Sequence, residues 1–150
     1  MGQEKAFTLI ELVVVIGIIG ILSAIILFST VQYINKSKDA NIKGNLAVLI
    51  SAGEAYYGAN NESYADFCES LVVNNSKLQI PQNPEGSCYS ESNKSGVCCF
   101  DDDLYGNAWV ACARLFSDNS KAFCVDSRGV QKEMDNYSDC SMLSSTLKCP

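Results

Sequence analysis

The chain has 150 residues, with 17 Asp and Glu against 11 Lys and Arg and a net charge of −6. It contains no His, which removes the commonest general base and the commonest metal ligand. The negative excess lies after Gly58, so an extended surface for nucleic acid or anionic lipid is not expected. Nucleophile motifs and phosphate-binding loops are also missing, and the composition does not indicate an enzyme.

An uninterrupted apolar run occupies residues 7–31 and contains one charge, Glu11, and no Pro. As a helix it would extend about 37 Å, enough to cross the hydrocarbon core of a bilayer. A chain this short cannot cover such a run with its own core, so the run belongs in a membrane or in a bundle of its own copies. It is too long for a secretory h-region and no A-x-A site follows it. We therefore predict a retained anchor with its amino end in the cytoplasm.

At the start of this run Ala6 is followed by the letters FTLIEL and then by further apolar residues. This pattern resembles the class III signal of type IV pilins and pseudopilins. The resemblance implies that prepilin peptidase cleaves between Ala6 and Phe7, which makes residues 1–6 a leader peptide. It also implies methylation of the new Phe7 amine. The family usually has Gly at the position of Ala6.

Glu11 is the most informative residue of the run. An ionised carboxylate costs on the order of 3 kcal/mol at mid-membrane and less near an end, so it needs a partner. After cleavage the Phe7 amine lies one helical turn away and is positive near neutral pH. The resemblance implies that Glu11 pairs with the Phe7 amine of a neighbouring subunit and so sets the register of assembly. The alternative is that Glu11 only reaches toward the lipid headgroups.

One helix is predicted from residue 7 to about residue 57, within a helical region of residues 7–58. Residues 7–31 would form the membrane or filament part, and residues 32–58 the spine of a globular head. Gly58 is expected to end the helix in the left-handed conformation. The apolar stripe of the second part consists of Ile34, Ile42, Leu46, Leu49, Ile50, Gly53 and Tyr56 or Tyr57.

Many members of the resembled family carry Pro late in the apolar run, where this chain has Phe28. Without Pro the helix is predicted to keep its backbone hydrogen bonds at this position. Any local unwinding in a filament is then expected near Gly17 or Gly20.

Residues 59–150 are predicted to form a small head closed by disulfides. An even number of cysteines confined to a domain beyond a membrane segment is typical of an oxidising compartment. The alternative is a zinc site of reduced thiols, but the sequence has no C-x-x-C pair. Eight cysteines allow roughly a hundred pairings, and the sequence does not choose among them. The eight are Cys68, Cys88, Cys98, Cys99, Cys112, Cys124, Cys140 and Cys149.

Within the head, residues 59–95 are predicted to form a long loop with a short helix near residues 64–73. Three strands are predicted at residues 96–100, 109–116 and 122–126, the last two as a hairpin. Alternation within the second strand places one set of side chains toward the helix and the cysteine on the opposite face. The set facing the helix is Trp109, Ala111, Ala113 and Leu115.

The cysteines of these strands give testable neighbours. Cys112 is predicted to lie opposite Cys124, and similar turn arithmetic places Cys99 near Cys112, which leaves Cys112 two candidate partners. Cys98 and Cys99 are expected to bond to different partners, because a strand sends them to opposite faces. Cys140 and Cys149 are expected to fasten residues 135–150, which have no strong periodicity, to the sheet.

An acidic loop precedes the second strand. Asp101, Asp103 and Gly106 match the first half of an EF-hand loop, but Cys112 stands where that loop requires Glu. A solvated acidic turn is predicted, with a calcium site of another kind as the alternative. No cofactor is predicted for the chain.

The predicted fold class is α+β and type IV pilin-like: a long N-terminal helix packed against a small antiparallel sheet in a disulfide-stapled head. The predicted function is that of a structural subunit of a pilus-like filament. Its partners would be copies of itself, prepilin peptidase, the pilus assembly platform and, before assembly, the membrane. It would cross the cytoplasmic membrane once and reach the cell surface on assembly. The alternatives are a pseudopilin of a type II secretion system, a minor pilin for adhesion or DNA uptake, and a tethered binding domain that never polymerises.

Overall fold

The computed structural model describes residues 7–82, 88, 96–102 and 104–150, and the chain divides into two units, residues 1–35 and 36–150. Helix α1, Leu9–Ala59, contributes to both units. The sequence has no Pro before Pro81, and the backbone ladder runs unbroken through residue 28, as predicted.

In the first unit, two hydroxyl groups late in the apolar run donate hydrogen bonds to carbonyl oxygens of the helix itself. Ser29 Oγ donates to the carbonyl oxygen of Ile25 at 3.2 Å, and Thr30 Oγ1 donates to that of Ile26 at 2.8 Å. These bonds let polar side chains sit in an apolar segment without unsatisfied donors. Unwinding at the glycines of this unit stays a prediction.

The end of α1 differs from the prediction for Gly58. Gly58 is helical, and the left-handed residues are Asn61 and Glu62, with φ of 55° and 59°. The helix continues because the backbone N–H of Asn60 still donates to the Tyr56 carbonyl at 3.0 Å, and the Asn60 side chain donates to the same oxygen at 2.8 Å. Glu62 N–H then donates to the Tyr57 carbonyl at 3.0 Å, which closes the helix one turn later.

The second unit contains a four-stranded antiparallel sheet in the order β1-β2-β3-β4. Three strands lie where they were predicted, and the fourth was missed. Their bounds are Val97–Asp101, Trp109–Arg114, Ala122–Asp126 and Gln131–Met134. The missed strand has the burial pattern of an edge, with three of its four residues exposed, and so carries no apolar alternation.

The face of the sheet toward α1 holds the main core. The alternation predicted for β2 is confirmed, since Trp109, Ala111, Ala113 and Leu115 all join this cluster. The helix supplies the middle of its predicted stripe, while Ile34 is exposed. The large apolar residues of α1 that are buried in the described structure are Ile42, Leu46 and Leu49, each at most 1% exposed.

The opposite face of the sheet carries a second buried cluster. Helix α3, Asp139–Thr146, and the carboxyl-terminal residues cover it. Its members are Cys98, Val110, Cys112, Ala122, Cys124, Met134, Tyr137, Cys140, Leu143 and Cys149. The helix α3 was not predicted, because a Ser-rich segment of eight residues has little apolar periodicity.

Four disulfides connect the eight cysteines: Cys68–Cys99, Cys88–Cys98, Cys112–Cys140 and Cys124–Cys149. The first lies on the helix side of the sheet, and the other three lie on the outer face, where two of them connect α3 and the carboxyl end to the sheet. Cys98 and Cys99 do bond to different partners. The tail is fastened to the sheet as predicted.

The register confirms one predicted neighbour and corrects another. Cys112 lies opposite Cys124, as predicted. The placement of Cys99 near Cys112 is wrong, because Cys99 lies opposite Ala111 and Cys98 lies opposite Cys112. A slip of one residue in the arithmetic of the β1–β2 turn moves every side chain of β1 to the other face.

The short helix predicted near residues 64–73 lies further along the chain than predicted. A short 3-10 helix occupies Phe67–Glu69, and α2 occupies Leu71–Gln79. Ser70 starts α2 because its side chain accepts a hydrogen bond from the backbone N–H of Val73. Much of the predicted loop before β1 lies outside the described residues.

Candidate assembly site

The first turn of α1 is built around Thr8 and Glu11. Thr8 N–H and Thr8 Oγ1 both donate to Glu11 Oε2, at 2.9 and 2.6 Å. In return the backbone N–H of Glu11 donates to Thr8 Oγ1 at 3.3 Å. This reciprocal arrangement is a capping box, which satisfies donors that the helix itself leaves open.

Thr8 is the residue of this site that sequence reasoning missed. The spacing Thr8-x-x-Glu11 is the pattern of a capping box, and it stands directly before an apolar run. The carboxylate therefore has a partner inside its own helix. The desolvation cost that singled out Glu11 is reduced before any other molecule is involved.

An apolar surface surrounds this turn. The described large apolar side chains between residues 7 and 31 are all 46% to 81% exposed. Among the described residues, α1 is the helix long and apolar enough to cross a bilayer, and its most apolar window has no residue buried inside the chain. An exposed apolar surface of this length is covered by lipid or by protein when the molecule is in water.

The predicted site residues lie together at the start of this surface. Phe7, 79% exposed, lines a shallow apolar groove on the helix together with Ile10, Glu11 and Val14. Oε1 of Glu11 accepts no hydrogen bond from any described residue. Ala6, on the other side of the predicted cleavage bond, lies outside the described residues.

The described carboxylates of the acidic loop accept hydrogen bonds from backbone N–H groups of the head. Asp101 Oδ2 accepts from the Cys68 N–H at 2.8 Å, and Asp102 Oδ1 accepts from the Tyr105 N–H at 3.1 Å. Asp103 lies outside the described residues. Asp102 therefore forms an Asx-type turn in the loop between β1 and β2, whereas Asp101 connects the end of β1 to the segment Phe67–Glu69.

Two buried carboxylates hold the head together, and neither was predicted. Asp39, on α1, accepts hydrogen bonds from the backbone N–H groups of Phe116 and Ser117 at 2.6 and 3.1 Å, and from the Ser117 hydroxyl. It is 5% exposed and connects the helix to the turn between β2 and β3. A helical Asp facing a buried stripe is the sequence signal for such a bond.

Asp126, fully buried at the end of β3, serves the carboxyl-terminal segment. Its Oδ2 accepts from Arg128 at 2.6 Å and from the Cys149 N–H at 3.0 Å, while Oδ1 accepts from the Val130 N–H at 3.3 Å. Burial raises the pKa of the Asp126 carboxyl, but the hydrogen bonds outweigh burial and hold its pKa below the ordinary value.

The end of α1 carries an aromatic cluster with one perturbed phenol. Tyr64 packs on Tyr57, with ring centroids 4.7 Å apart, and donates a hydrogen bond to Glu54 Oε1 at 2.9 Å. Burial, followed by the hydrogen bond and charge of Glu54, raises the pKa of Tyr64 to about 12. The cluster orders the connection out of α1.

Comparison with known proteins shows that the N-terminal part of the chain is similar to type IV pilins. A family model described as the prokaryotic N-terminal methylation motif matches residues 1–27. The chain is 35% identical over 69 residues to the type IV major pilin protein PilA of Myxococcus xanthus (strain DK1622). It is 49% identical over 55 residues to the type IV major alpha-pilin of Moraxella bovis, and equally to fimbrial protein Q of that organism.

These matches cover part of each protein. They span 46% of this chain in the first case and 37% in the other two, and 31% and 35% of the relatives' own lengths. The chain therefore spans about a third of the relatives that it matches. No solved structure matches the chain. The N-terminal segment carries the methylation motif, its named relatives are type IV pilins, and its architecture is type IV pilin-like.

Proposed function

We propose that the chain is a structural subunit of a type IV pilus-like filament, in which it polymerises through its N-terminal helix. The observation that carries the proposal is the exposed apolar surface of residues 7–31 with one carboxylate in its first turn. Lipid covers this surface while the subunit is stored in the cytoplasmic membrane, and neighbouring helices cover it in the filament. The role is mechanical and requires no catalysis by the chain.

Processing prepares the amino end for this exchange. Prepilin peptidase cleaves the bond between Ala6 and Phe7 on the cytoplasmic side, and the new Phe7 amine is methylated. The amine then lies beside the positive end of the helix dipole, where a nearby carboxylate lowers the cost of the positive charge. The methylation motif over residues 1–27 supports this step.

Glu11 guides assembly because its carboxylate can serve two partners. Oε2 stays in the capping box with Thr8, while Oε1 is open to a donor from outside the chain. In the filament that donor is the Phe7 amine of a neighbouring subunit. Pairing neutralises two charges in an apolar interior and fixes the axial register between helices.

The test is the behaviour of Glu11→Ala in cells that carry the assembly machinery. We expect the wild type to give surface filaments whose subunits begin at methylated Phe7 by intact mass. Glu11→Ala should be processed and held in the membrane but give few or no filaments by negative-stain microscopy of sheared material. Ser23→Ala, a polar-to-alanine change in the same exposed run, is the matched control and should assemble normally. Normal filaments from Glu11→Ala would contradict the proposal.

The same samples separate the related functions. Two of the three named relatives are major pilins, which favours a pilus over a pseudopilus of a type II secretion system or a minor pilin for adhesion or DNA uptake. Long, abundant fibres made of this chain support the major pilin, and short or rare ones support the other two. A chain that keeps Met1 and forms no fibre would support a tethered binding domain.

A further inference from the structure

Three sulfur atoms meet on the outer face of the sheet. The Sγ atoms of Cys98, Cys112 and Cys140 all lie within 4.8 Å of one another, and the three residues are buried. They belong to two different disulfides, Cys88–Cys98 and Cys112–Cys140. Because every sulfur is bonded to another sulfur, no thiolate remains to bind a metal ion. The contact instead brings one disulfide within reach of another.

The strand register makes an alternative bond sterically possible. Cys98 and Cys112 are direct partners in the antiparallel pair of β1 and β2. Such partners have Cα atoms about 4.5–5.5 Å apart, inside the range of about 4.4–6.8 Å that disulfides span. The Cα separation expected for Cys98 and Cys112 is therefore compatible with a disulfide between them.

We propose that this sulfur cluster is a thiol–disulfide exchange site, at which Cys98 exchanges Cys88 for Cys112. Cys88 is half-buried, whereas Cys98 is 2% exposed, so an external thiolate attacks at Cys88. That thiolate is supplied by a small thiol or by a thiol–disulfide oxidoreductase. A new bond forms between it and Cys88 Sγ, the Cys88–Cys98 bond breaks, and Cys98 leaves as a thiolate.

The second half of the exchange stays inside the cluster. The Cys98 thiolate attacks Cys112 Sγ, which forms Cys98–Cys112 and releases Cys140 as a thiolate. Cys140 then attacks Cys88, forms Cys88–Cys140 and returns the external thiolate. Each step makes one S–S bond and breaks one, so the chain is isomerised with no net oxidation or reduction.

The exchange loosens one face of the head and spares the other. In the structure, one bond ties β1 to the Cys88 segment and another ties β2 to α3. After exchange, the Cys98–Cys112 bond joins β1 to β2, and the Cys88–Cys140 bond joins Cys88 to α3. Neither Cys88 nor α3 is then connected to β1 or β2 by a disulfide. Cys68–Cys99 lies on the helix side and keeps its pairing.

We expect two single variants of the full-length chain to form the same disulfide. Both variants are purified in detergent under oxidising conditions. In Cys88→Ser the Cys98 thiol starts beside the second disulfide, and in Cys140→Ser the Cys112 thiol starts beside the first. Both should contain Cys98–Cys112 in the majority of chains, with the remaining thiol on Cys140 and Cys88 respectively. Peptide mapping after alkylation in acid identifies the bond and the alkylated residue.

Cys68→Ser is the matched control, because it leaves Cys99 unpaired on the opposite face. It should show alkylated Cys99 and three unchanged outer disulfides. If a single variant fails to fold, the double variant Cys88→Ser with Cys140→Ser should still form Cys98–Cys112 on air oxidation. Alkylated Cys98 beside an intact Cys112–Cys140 bond, or two unbonded thiols in the double variant, would overturn the proposal.

Discussion

Gly53 gives the sharpest test of how the head packs on α1. It is buried near the carboxyl end of the helix, and a Cβ placed on it would lie 2.6 Å from Trp109 Nε1 and 2.9 Å from Trp109 Cε2. Trp109 is fully buried, and its ring centroid lies 4.8 Å from that of Phe67, so the indole has no free space into which to move. The same close approach explains why the indole N–H has no hydrogen-bond partner among the described residues.

Two opposing effects decide the result of Gly53→Ala. Replacing glycine by alanine inside a helix favours folding by about 1 kcal/mol, whereas forcing a methyl group into a filled core costs about 1–3 kcal/mol. Because the clash is with a rigid ring, we expect a net loss of about 1 kcal/mol in the free energy of unfolding. That corresponds to a fall in Tm of roughly 4 °C.

Gly44→Ala is the matched control in the same helix. Gly44 is exposed, and a Cβ on it would meet no atom within 4 Å. This variant should gain about 0.5–1 kcal/mol of stability from helix propensity alone. Trp109 is the only tryptophan, so its fluorescence during thermal unfolding, with disulfides intact, reports on the affected site. A Tm for Gly53→Ala equal to or above that of Gly44→Ala would refute the reasoning.

Three further outcomes are expected. Asp39→Ala should lower the free energy of unfolding by about 2–4 kcal/mol, measured by denaturant titration, because two backbone N–H groups lose a buried acceptor; a loss below about 0.5 kcal/mol would argue against this role. Since folding lowers the pKa of Asp126, its ionised carboxylate should contribute fully to the free energy of unfolding above its unfolded pKa of about 3.9, and this contribution should vanish as the pH falls through the folded pKa. Asp126→Asn should therefore reduce the loss of stability that the wild type shows on acidification. An unchanged dependence of stability on pH would contradict the assignment. The phenol of Tyr64 should ionise at about pH 12, so the ultraviolet titration of Tyr64→Phe should lose a high-pH component, and loss of a component near pH 10 instead would be the contrary result.

The patterned parts of the fold followed from the sequence. The apolar run and the stripe beyond it predicted α1, because helical spacing of apolar residues is a strong signal over many turns. Alternation in β2 predicted which of its side chains face the helix. The predicted hairpin of β2 and β3 placed Cys112 opposite Cys124, as the structure has it. In each case a long or strictly periodic segment specified the structure locally.

The parts that failed depend on tertiary contacts or on single residues. β4 is stabilised by pairing with β3 and has no apolar alternation of its own. One disulfide connects α3 to the sheet, and a second connects the residues after it. The Cys99 placement failed because the turn between β1 and β2 sets the register by its length. In the assembly site, the apolar run made Glu11 visible, whereas Thr8 depended on a four-residue pattern inside a longer motif.

The distribution of the core along the chain determines when the head can fold during synthesis. Ile42, Leu46 and Leu49 leave the ribosome first, but they are buried by strands that lie about 50 to 80 residues later. Contacts so distant in sequence form only after the intervening residues have been synthesised. Asp126 adds a further delay, since its last hydrogen bond comes from Cys149 at the carboxyl end. The head of the nascent chain therefore stays unfolded until almost all of its residues have been synthesised.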